Sequence, residues 1–268
     1  MPNPSSDSTD ISKKDLRLQV FLANAGVASR RGAVSIIEEG HVTVNGKIIT
    51  ERGFRVNADK DTVQVDDQTI GEEKKVYYII NKPRKVVSTA IDTHGRPTIV
   101  AFFKKLKERI LPVGRLDMDT TGLLVMTNDG EMANQLTHPS YGVVKHYAVV
   151  LDKPLSKGQM EKFSKGMKLD NVKTATCSIS EHVFEGQGYA YEIELHEGKN
   201  RQIRRMMEIL EREVKDLHRF KYGPLSLGTL KPGQSRKLSP HEVQLLRKSI
   251  TDGVAAQKNL KLKKAMKQ

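Results

Sequence analysis

The chain has 268 residues, and its 45 Lys and Arg against 32 Asp and Glu give a formal charge of +13 at neutral pH. Such an excess is typical of a protein that binds a polyanion. The longest apolar run, 76–80, is far shorter than the roughly 20 residues that cross a bilayer. A single cysteine, Cys177, excludes an internal disulfide and a multi-cysteine zinc site. We therefore expect a cytoplasmic protein that does not span a membrane.

The N-terminal quarter predicts a small domain. Residues 1–14 are polar and lack periodicity, which predicts a disordered tail. A first helix is indicated by four apolar residues at helical spacing, which are Leu18, Phe21, Leu22 and Ala25. Ser29 is placed to cap a second helix, and Asn45-Gly46 is a strong hairpin signal. Together these elements predict a helix-helix-hairpin domain over 15–68.

Two arginines, Arg30 and Arg31, stand in the first turn of the second predicted helix. Backbone N–H groups and the helix dipole favour phosphate at that end, although two solvated arginines would look the same in the sequence. The segment 18–48 resembles the small RNA-binding domain named after ribosomal small-subunit protein four. The resemblance implies that Arg30 and Arg31 bind RNA.

The remaining chain predicts a second, larger domain. Residues 69–75 are a plausible linker, and 76–250 carry both strand and helix patterns. The predicted strands are 76–80, 86–90, 122–127, 147–151 and 189–195. The predicted helices are 156–166, 200–210 and one that starts at Pro240 after a capping box. This mixture favours an α+β domain around a mostly antiparallel sheet. Beyond Asp252 the chain has five lysines and no acid, which predicts a basic disordered tail over 251–268.

The positive charge is concentrated in two segments of the larger domain. Residues 82–115 carry nine basic and two acidic side chains, and 199–221 carry eight and four. Residues 15–68, in contrast, carry seven basic and eight acidic ones. Such patches are typical of a nucleic-acid footprint.

A polar loop between two apolar strands carries three carboxylates, Asp117, Asp119 and Asp129. Three carboxylates within 13 residues are compatible with a metal site or an acid-base pair. Ordinary turn chemistry explains Asp129 and Asp119 equally well. The residues alone therefore leave the function of Asp117 open.

The same loop resembles the signature of the RNA pseudouridine synthases, in the branch that modifies ribosomal RNA and carries the small N-terminal RNA-binding domain. The matching residues are Gly114-Arg115-Leu116-Asp117, Thr120, Gly122-Leu123 and the stretch 127–130. Further matches are Asn81-Lys82-Pro83, Lys145-His146-Tyr147 and the stretch 197–206. The resemblance covers about 17–250 and leaves only the two tails.

The resemblance implies that the protein isomerises a uridine. The N1–C1′ bond breaks, the uracil turns, and C5 joins C1′. By position Asp117 corresponds to the catalytic aspartate of the family, which either attacks C1′ or removes the 2′ proton. No cofactor is implied, and the sequence has no dinucleotide-binding glycine motif, no phosphate loop and no Cys/His ligand set. We therefore predict neither a cofactor nor a metal.

Other site residues follow from the same match, each with an ordinary structural alternative. Arg204 corresponds to the basic partner of the aspartate. We expect it to be exposed, because it lies off the apolar face that Ile203, Met206, Met207 and Leu210 form at helical spacing. It also fits a solvated helix flank. Tyr147 corresponds to the tyrosine that stacks on the target base, but it also fits a half-buried core position. Arg115 would fill the gap left by a flipped nucleotide, pair with its phosphate, or be structural. Lys199 and Arg201 are expected to contact phosphate.

We expect the partner to be ribosomal RNA or an assembly intermediate of a ribosomal subunit. A free basic tail favours 23S RNA, with 16S RNA as the alternative, and a monomer is the default state. One rival hypothesis is a non-catalytic assembly factor on the same scaffold. Another is a DNA-binding regulator, for which the sequence offers neither a recognition-helix pair with a basic stripe nor zinc ligands.

Overall fold

A computed structural model describes residues 15–184 and 187–265. The predicted N-terminal tail, 1–14, lies outside the described residues. The chain divides into two compact units between Lys74 and Lys75. None of the described helices is both long and apolar enough to cross a membrane.

In its described residues, the first unit contains two short helices and small antiparallel sheets. Its helices are α1 (Leu18–Asn24) and α2 (Arg30–Glu38), and its strands are β1 (Asp15–Arg17), β2 (Val42–Val44), β3 (Lys47–Ile48), β4 (Arg55–Asn57), β5 (Val63–Val65) and β6 (Gln68–Ile70). The Ser29 side chain accepts a hydrogen bond from the Gly32 amide, as predicted for the cap of α2. Asn45 and Gly46 both have positive φ, which is typical of a tight hairpin turn, here between β2 and β3.

The second unit is built on one large sheet. Its helices are α3 (Gly130–Thr137), α4 (Lys157–Ser164), α5 (Gln202–Ile209) and α6 (Pro240–Ala265), with 3-10 turns at Ile99–Phe103 and Pro139–Tyr141. Its strands are β7 (Tyr77–Lys82), β8 (Leu111–Pro112), β9 (Thr121–Thr127), β10 (Lys145–Leu151), β11 (Lys168–Leu169), β12 (Val172–Lys173), β13 (Ser178–Phe184), β14 (Gln187–Leu195), β15 (Val214–Tyr222), β16 (Leu225–Ser226) and β17 (Ser235–Lys237).

The large sheet is mostly antiparallel, which confirms the predicted α+β class. Its strand order is β13-β14-β10-β15-β9-β7-β17, with β8 and β16 paired at its side. Among the described strands of this sheet, β9 and β15 pair in parallel, through His218 with Thr121 and Arg219 with Gly122. The other pairs are antiparallel.

Apolar side chains cover both faces of the central strands. Ile80 and Leu124 belong to a cluster on one face, and Ile79 and Leu123 belong to a cluster on the other. A strand that is buried on both faces needs consecutive apolar residues, which explains the unbroken run at 76–80.

Helix α5 packs its apolar face into the first of these clusters. Its buried residues are Gln202, Ile203, Met206 and Met207. The apolar face predicted at i, i+3, i+4 and i+7 is therefore confirmed. The capping boxes at Ser156 and Ser239 are also formed, since each side chain accepts from the amide three residues later.

Three sequence predictions need correction. Residues 86–90 do not form a strand, because Val87 makes a single isolated bridge to Thr98. The linker predicted over 69–75 begins too early, because 69 and 70 belong to β6 and pair with β5. The tail predicted as disordered over 251–268 is helical to Ala265, where α6 ends, and 266–268 lie outside the described residues.

Gly122 occupies the closest approach between β9 and β15. Its φ is +108°, and a β-carbon there would collide with the main-chain carbonyl of Arg219. Backbone atoms cannot move aside as a flexible side chain can, so only glycine fits this crossing.

We expect Gly122→Ala to lower the free energy of unfolding by more than about 3 kcal/mol, because it adds both backbone strain and a main-chain collision. Gly158→Ala is the control, since nothing lies within 4 Å of its β-carbon and it is in α4. It should be neutral or stabilise by up to about 1 kcal/mol. Urea titrations measure both, and equal stability of the two variants would contradict the proposed constraint.

Candidate active site

The second unit contains a pocket of about 370 Å³. Five of the residues singled out in the sequence line it, which are Arg115, Asp117, Tyr147, Lys199 and Arg201. They come from three separated segments of the chain: the loop before β9, strand β10, and the approach to α5. The fold therefore brings together a carboxylate, an aromatic ring and a group of cations.

The loop that carries Asp117 is held through its main chain. On one side the Ser88 hydroxyl donates to the Leu116 carbonyl and accepts from the Leu116 amide, at 2.8 and 3.1 Å. On the other side the Thr120 amide donates to the Asp117 carbonyl at 3.0 Å. Asp117 itself is half-buried, so its carboxylate is accessible while its backbone is fixed.

The side chain of a buried lysine, Lys82 at the end of β7, reaches into the same loop. Its Nζ donates to the main-chain carbonyls of Thr120 at 2.8 Å, Pro83 at 3.0 Å and Met118 at 3.3 Å. Burial lowers the pKa of Lys82 to about 8, although the nearby charge of Asp117 opposes this shift. Lys82 therefore holds two carbonyls that follow Asp117 in the loop and places a positive charge near its carboxylate.

Two arginines bracket the Asp119 carbonyl. Arg204 donates to it at 3.4 Å and to the Val214 carbonyl at 3.1 Å. Arg84 lies 3.5 Å from the same Asp119 oxygen and forms an ion pair with Asp216. The loop is thus held by three cations through consecutive carbonyls.

The position of Arg204 differs from the one expected. It is half-buried rather than exposed, and it is not among the residues that line the pocket. Burial lowers the pKa of Arg204, Arg201 lowers it further, and Asp117 raises it. Within the described residues no ion pair of 4.0 Å or less joins Arg204 to Asp117, so the two interact only through space.

Tyr147 is 8% exposed and lies in the pocket wall. Its neighbours include two buried cations, Lys145 and Arg219, to which the sequence analysis gave no role in the site. The Arg219 guanidinium lies 6.0 Å from the Tyr147 ring and 5.0 Å from the Tyr222 ring. The sequence did carry a signal for Lys145. Lys145, Tyr147 and Val149 occupy alternate positions of β10 and share its buried face, where a basic residue is unusual.

The cations at the other side of the pocket are more accessible. Arg201 is exposed and has a left-handed backbone conformation at the start of α5. The Lys199 amide donates to the Gln202 side chain, and its amine lies 3.3 Å from the Lys173 carbonyl. Arg115 is exposed as well. None of these three has a carboxylate partner within 4.0 Å in the described part of the chain.

In the first unit, Arg30 and Arg31 are the first two residues of α2 and both are exposed. Their position at the N-terminal end of a capped helix agrees with the sequence prediction. Free backbone N–H groups at that end add to the attraction for an anion.

The other carboxylate of the polar loop has a structural role. Asp129 is 3% exposed, accepts from the Met132 amide as the cap of α3, and accepts from the Tyr77 hydroxyl at 2.7 Å. This explains why three nearby carboxylates do not form one site.

One group of potential metal ligands occurs in the described residues, on strands β10 and β14. His146 Nδ1 lies 3.3 Å from a carboxylate oxygen of Glu192 and of Glu194. These residues do not line the pocket. Their spacing also fits hydrogen bonds across β10 and β14, so they add nothing to the chemistry of Asp117.

The altered pKa of Lys82 predicts how stability depends on pH. Its pKa is about 8 in the folded protein and 10.5 in the unfolded chain. Between these values the unfolded state binds more protons, so this group makes stability rise with pH. Between pH 8 and pH 10.5, we expect the difference in unfolding free energy between the wild type and Lys82→Met to change by at most about 3 kcal/mol in favour of the wild type.

Lys85→Met is the matched control, because Lys85 is an exposed neighbour. Its stability should follow the wild type in parallel from pH 8 to pH 10.5. Urea titrations at intervals of pH test both variants. A Lys82→Met curve that also runs parallel to the wild type would contradict the burial of a charged amine.

Comparison with known proteins agrees with this geometry. A family model described as RNA pseudouridylate synthase matches residues 76–209, and one described as S4 domain matches residues 16–63. The chain is 43% identical to the ribosomal large subunit pseudouridine synthase B of Bacillus subtilis (strain 168), over 86% of this chain and 95% of that protein.

Two further comparisons extend the match. The chain is 36% identical to a Pseudomonas aeruginosa protein of the same name, over 87% of this chain and 62% of that protein. A crystal structure of a pseudouridylate synthase superposes with a TM-score of 0.62 at 29% identity, and covers 86% of this chain and 99% of that one. The chain therefore belongs to the RNA pseudouridine synthases, a family of isomerases, and carries an S4 domain at its N-terminal side.

Proposed function

We propose that the protein converts one specific uridine of large-subunit (23S) ribosomal RNA into pseudouridine, on a flipped-out nucleotide and without a cofactor. The observation that carries this proposal is the pocket that combines Asp117 and Tyr147 with accessible cations, Arg115, Lys199 and Arg201, which have no carboxylate partner within 4.0 Å in the described part of the chain. The names of the relatives from B. subtilis and P. aeruginosa support 23S over 16S RNA. The expectation of 23S RNA from a free basic tail no longer applies, because 251–265 is helical.

The reaction conserves all atoms. The N1–C1′ bond breaks, the C5–C1′ bond forms, the proton on C5 leaves, and N1 gains a proton. No oxidant, reductant or transferred group is required. Asp117 either attacks C1′ or removes the 2′ proton, and both routes need its ionised form. The positive charges of Lys82 and Arg204 interact favourably with that form.

Tyr147 supplies a flat surface for the target base. Unstacking a base from RNA costs a few kcal/mol, and stacking on an aromatic ring returns about 1–3 kcal/mol per base. Because Tyr147 and Asp117 line the same pocket, a base on the ring would have its sugar carbon within reach of the carboxylate.

The accessible cations of the pocket are suited to the RNA backbone. Arg115, Lys199 and Arg201 line the pocket, and each would contact phosphate or the space left by the flipped nucleotide. In the S4 domain, Arg30 and Arg31 would bind a second stretch of RNA and raise the affinity through multivalency. We take the acting species to be a cytoplasmic monomer that works on free rRNA or an assembly intermediate.

The first prediction of this proposal concerns Asp117→Asn. The amide has nearly the same shape but serves neither as nucleophile nor as base, so turnover should fall by more than about 1,000-fold with RNA affinity nearly unchanged. Pseudouridine is mapped on transcribed 23S RNA by mass spectrometry, and affinity is measured on the same RNA.

Asp119→Asn is the matched control, because its side chain is exposed and only its carbonyl is held. It should lose less than about tenfold in turnover. Residual turnover of Asp117→Asn within tenfold of the wild type would contradict the role of Asp117. RNA binding by the wild type without any pseudouridine would favour the assembly factor.

The second prediction concerns salt. If Arg30 and Arg201 contact phosphates, replacing either by Ala should reduce the slope of log affinity against log salt by about one. Arg205→Ala is the control, because Arg205 already forms a two-pronged ion pair with Asp170. Filter binding at several salt concentrations gives the slopes. Equal slopes for all variants would show that these arginines do not contact the backbone.

A further inference from the structure

Two buried cations form the floor of the pocket. Lys145 on β10 is 5% exposed and Arg219 on the neighbouring strand β15 is 3% exposed. Both line the same cavity as Asp117 and Tyr147. Lys and Arg are almost never buried to this degree unless they are paired.

Neither cation has an anionic partner in the described part of the chain. Arg219 Nε donates to the Leu123 carbonyl at 2.8 Å, and Nη1 lies 3.4 Å from the Tyr147 hydroxyl, but the buried Nη2 has no acceptor. The Lys145 amine lies 5.4 Å from the centre of the Tyr222 ring and forms no hydrogen bond within the described residues. A ring face compensates a desolvated charge only in part.

The two charges also oppose each other. Burial and the charge of Arg219 lower the pKa of Lys145 to about 8, still above neutral pH, so most of the lysine is charged there. Uncompensated buried charge weakens the folded state. Two unpaired cations that lower stability and line a cavity indicate a binding site for an anion.

The surroundings limit what this anion is. Leu195, Ile203 and Leu217 also line the pocket, and apolar walls suit a flat ring better than a hydrated phosphate. Phosphates have exposed cations available nearer to solvent, in Arg115 and Arg201. The shape and polarity of the floor therefore favour the base of the nucleotide over its backbone.

The reaction generates such an anion. When N1–C1′ breaks, the electron pair stays with uracil, and the negative charge spreads over N1 and the O2 and O4 oxygens. The base must remain in the pocket until C5 bonds to C1′, after which the C5 proton leaves and N1 is protonated. Donors aimed at a developing charge in a water-poor site lower such a barrier.

We propose that Arg219 and Lys145 form an oxyanion floor that stabilises the detached uracil anion during the isomerisation. This inference rests on the proposed function, since the anion arises only if the pocket takes uridine. It assigns a direct catalytic task to two residues that had no predicted role in the site.

Stability distinguishes this role from a structural one. Lys145→Met keeps the length of the side chain and removes a buried, unpaired charge. We expect the thermal midpoint to stay equal or rise, while the single-turnover rate falls about 100- to 1,000-fold at nearly constant RNA affinity. A residue that merely supports the sheet would lose stability together with activity.

Lys221→Met is the matched control, because Lys221 pairs with His146 on the neighbouring strand and does not line the pocket. It should keep the wild-type rate. Arg219→Lys is a second variant, which keeps a positive charge but loses the forked donors. Its single-turnover rate should fall less than that of the double variant that combines Lys145→Met with Arg219→Lys. Wild-type rates in Lys145→Met and in Arg219→Lys would overturn the proposal.

Binding of free bases tests the floor without turnover. 5-Nitrouracil is an anion at neutral pH because the nitro group withdraws electrons, whereas uracil is neutral. The wild type should bind 5-nitrouracil about tenfold more tightly than uracil, and Lys145→Met should lose this preference. Inorganic phosphate should compete poorly, and strong competition by phosphate that depends on Lys145 would overturn the proposal in favour of a backbone site.

The two proposals fail in different ways. If the wild type prefers 5-nitrouracil but forms no pseudouridine in any rRNA, the floor stands as an anion site and the proposed function is wrong. If the wild type forms pseudouridine and both Lys145→Met and Arg219→Lys form it equally fast, the function stands and the oxyanion floor is wrong.

Discussion

The candidate site depends on one buried amine. Lys82 is fully buried at the end of β7 and donates to the carbonyls of Pro83, Met118 and Thr120. A loop of this kind turns its carbonyls inward, where they need donors as much as any other buried polar group. Lys82 meets that need and also places a charge near Asp117. The same side chain therefore provides the geometry of the loop and part of its electrostatics.

The sheet explains why this loop and the pocket floor lie together. Lys82 pairs with Gly122 across β7 and β9, and Gly122 pairs with Arg219 across β9 and β15. Only a glycine permits the close approach of the two backbones at that crossing. The loop that carries Asp117 is thus joined through two ladder steps to the strand that carries Arg219. A change at Gly122 would disturb both parts of the site.

Local rules predicted the elements whose signals lie within a few residues. The cap at Ser29, the turn at Asn45-Gly46 and the apolar face of α5 are confirmed, because each depends on nearest neighbours along the chain. The segment 86–90 looked like a strand but finds only one bridge. Strand pairing depends on partners distant in sequence, and composition does not reveal them.

The same limit applies to the site. The motifs indicated Asp117 and Tyr147 as site residues, and both line the same pocket. The motifs include Lys82 and Lys145 but gave neither of them, nor Arg219, a role in the site, because a basic residue in a strand is ordinarily solvated and only the fold reveals that it is buried.

The protein carries its positive charge in two physically different forms. Exposed arginines are screened by salt and suit the RNA backbone, whereas the buried pair is shielded from salt and acts on charge that forms inside the pocket. A net charge of +13 cannot separate these roles. Burial separates them, because an unpaired cation that is shielded from water interacts strongly with an anion that enters the pocket beside it.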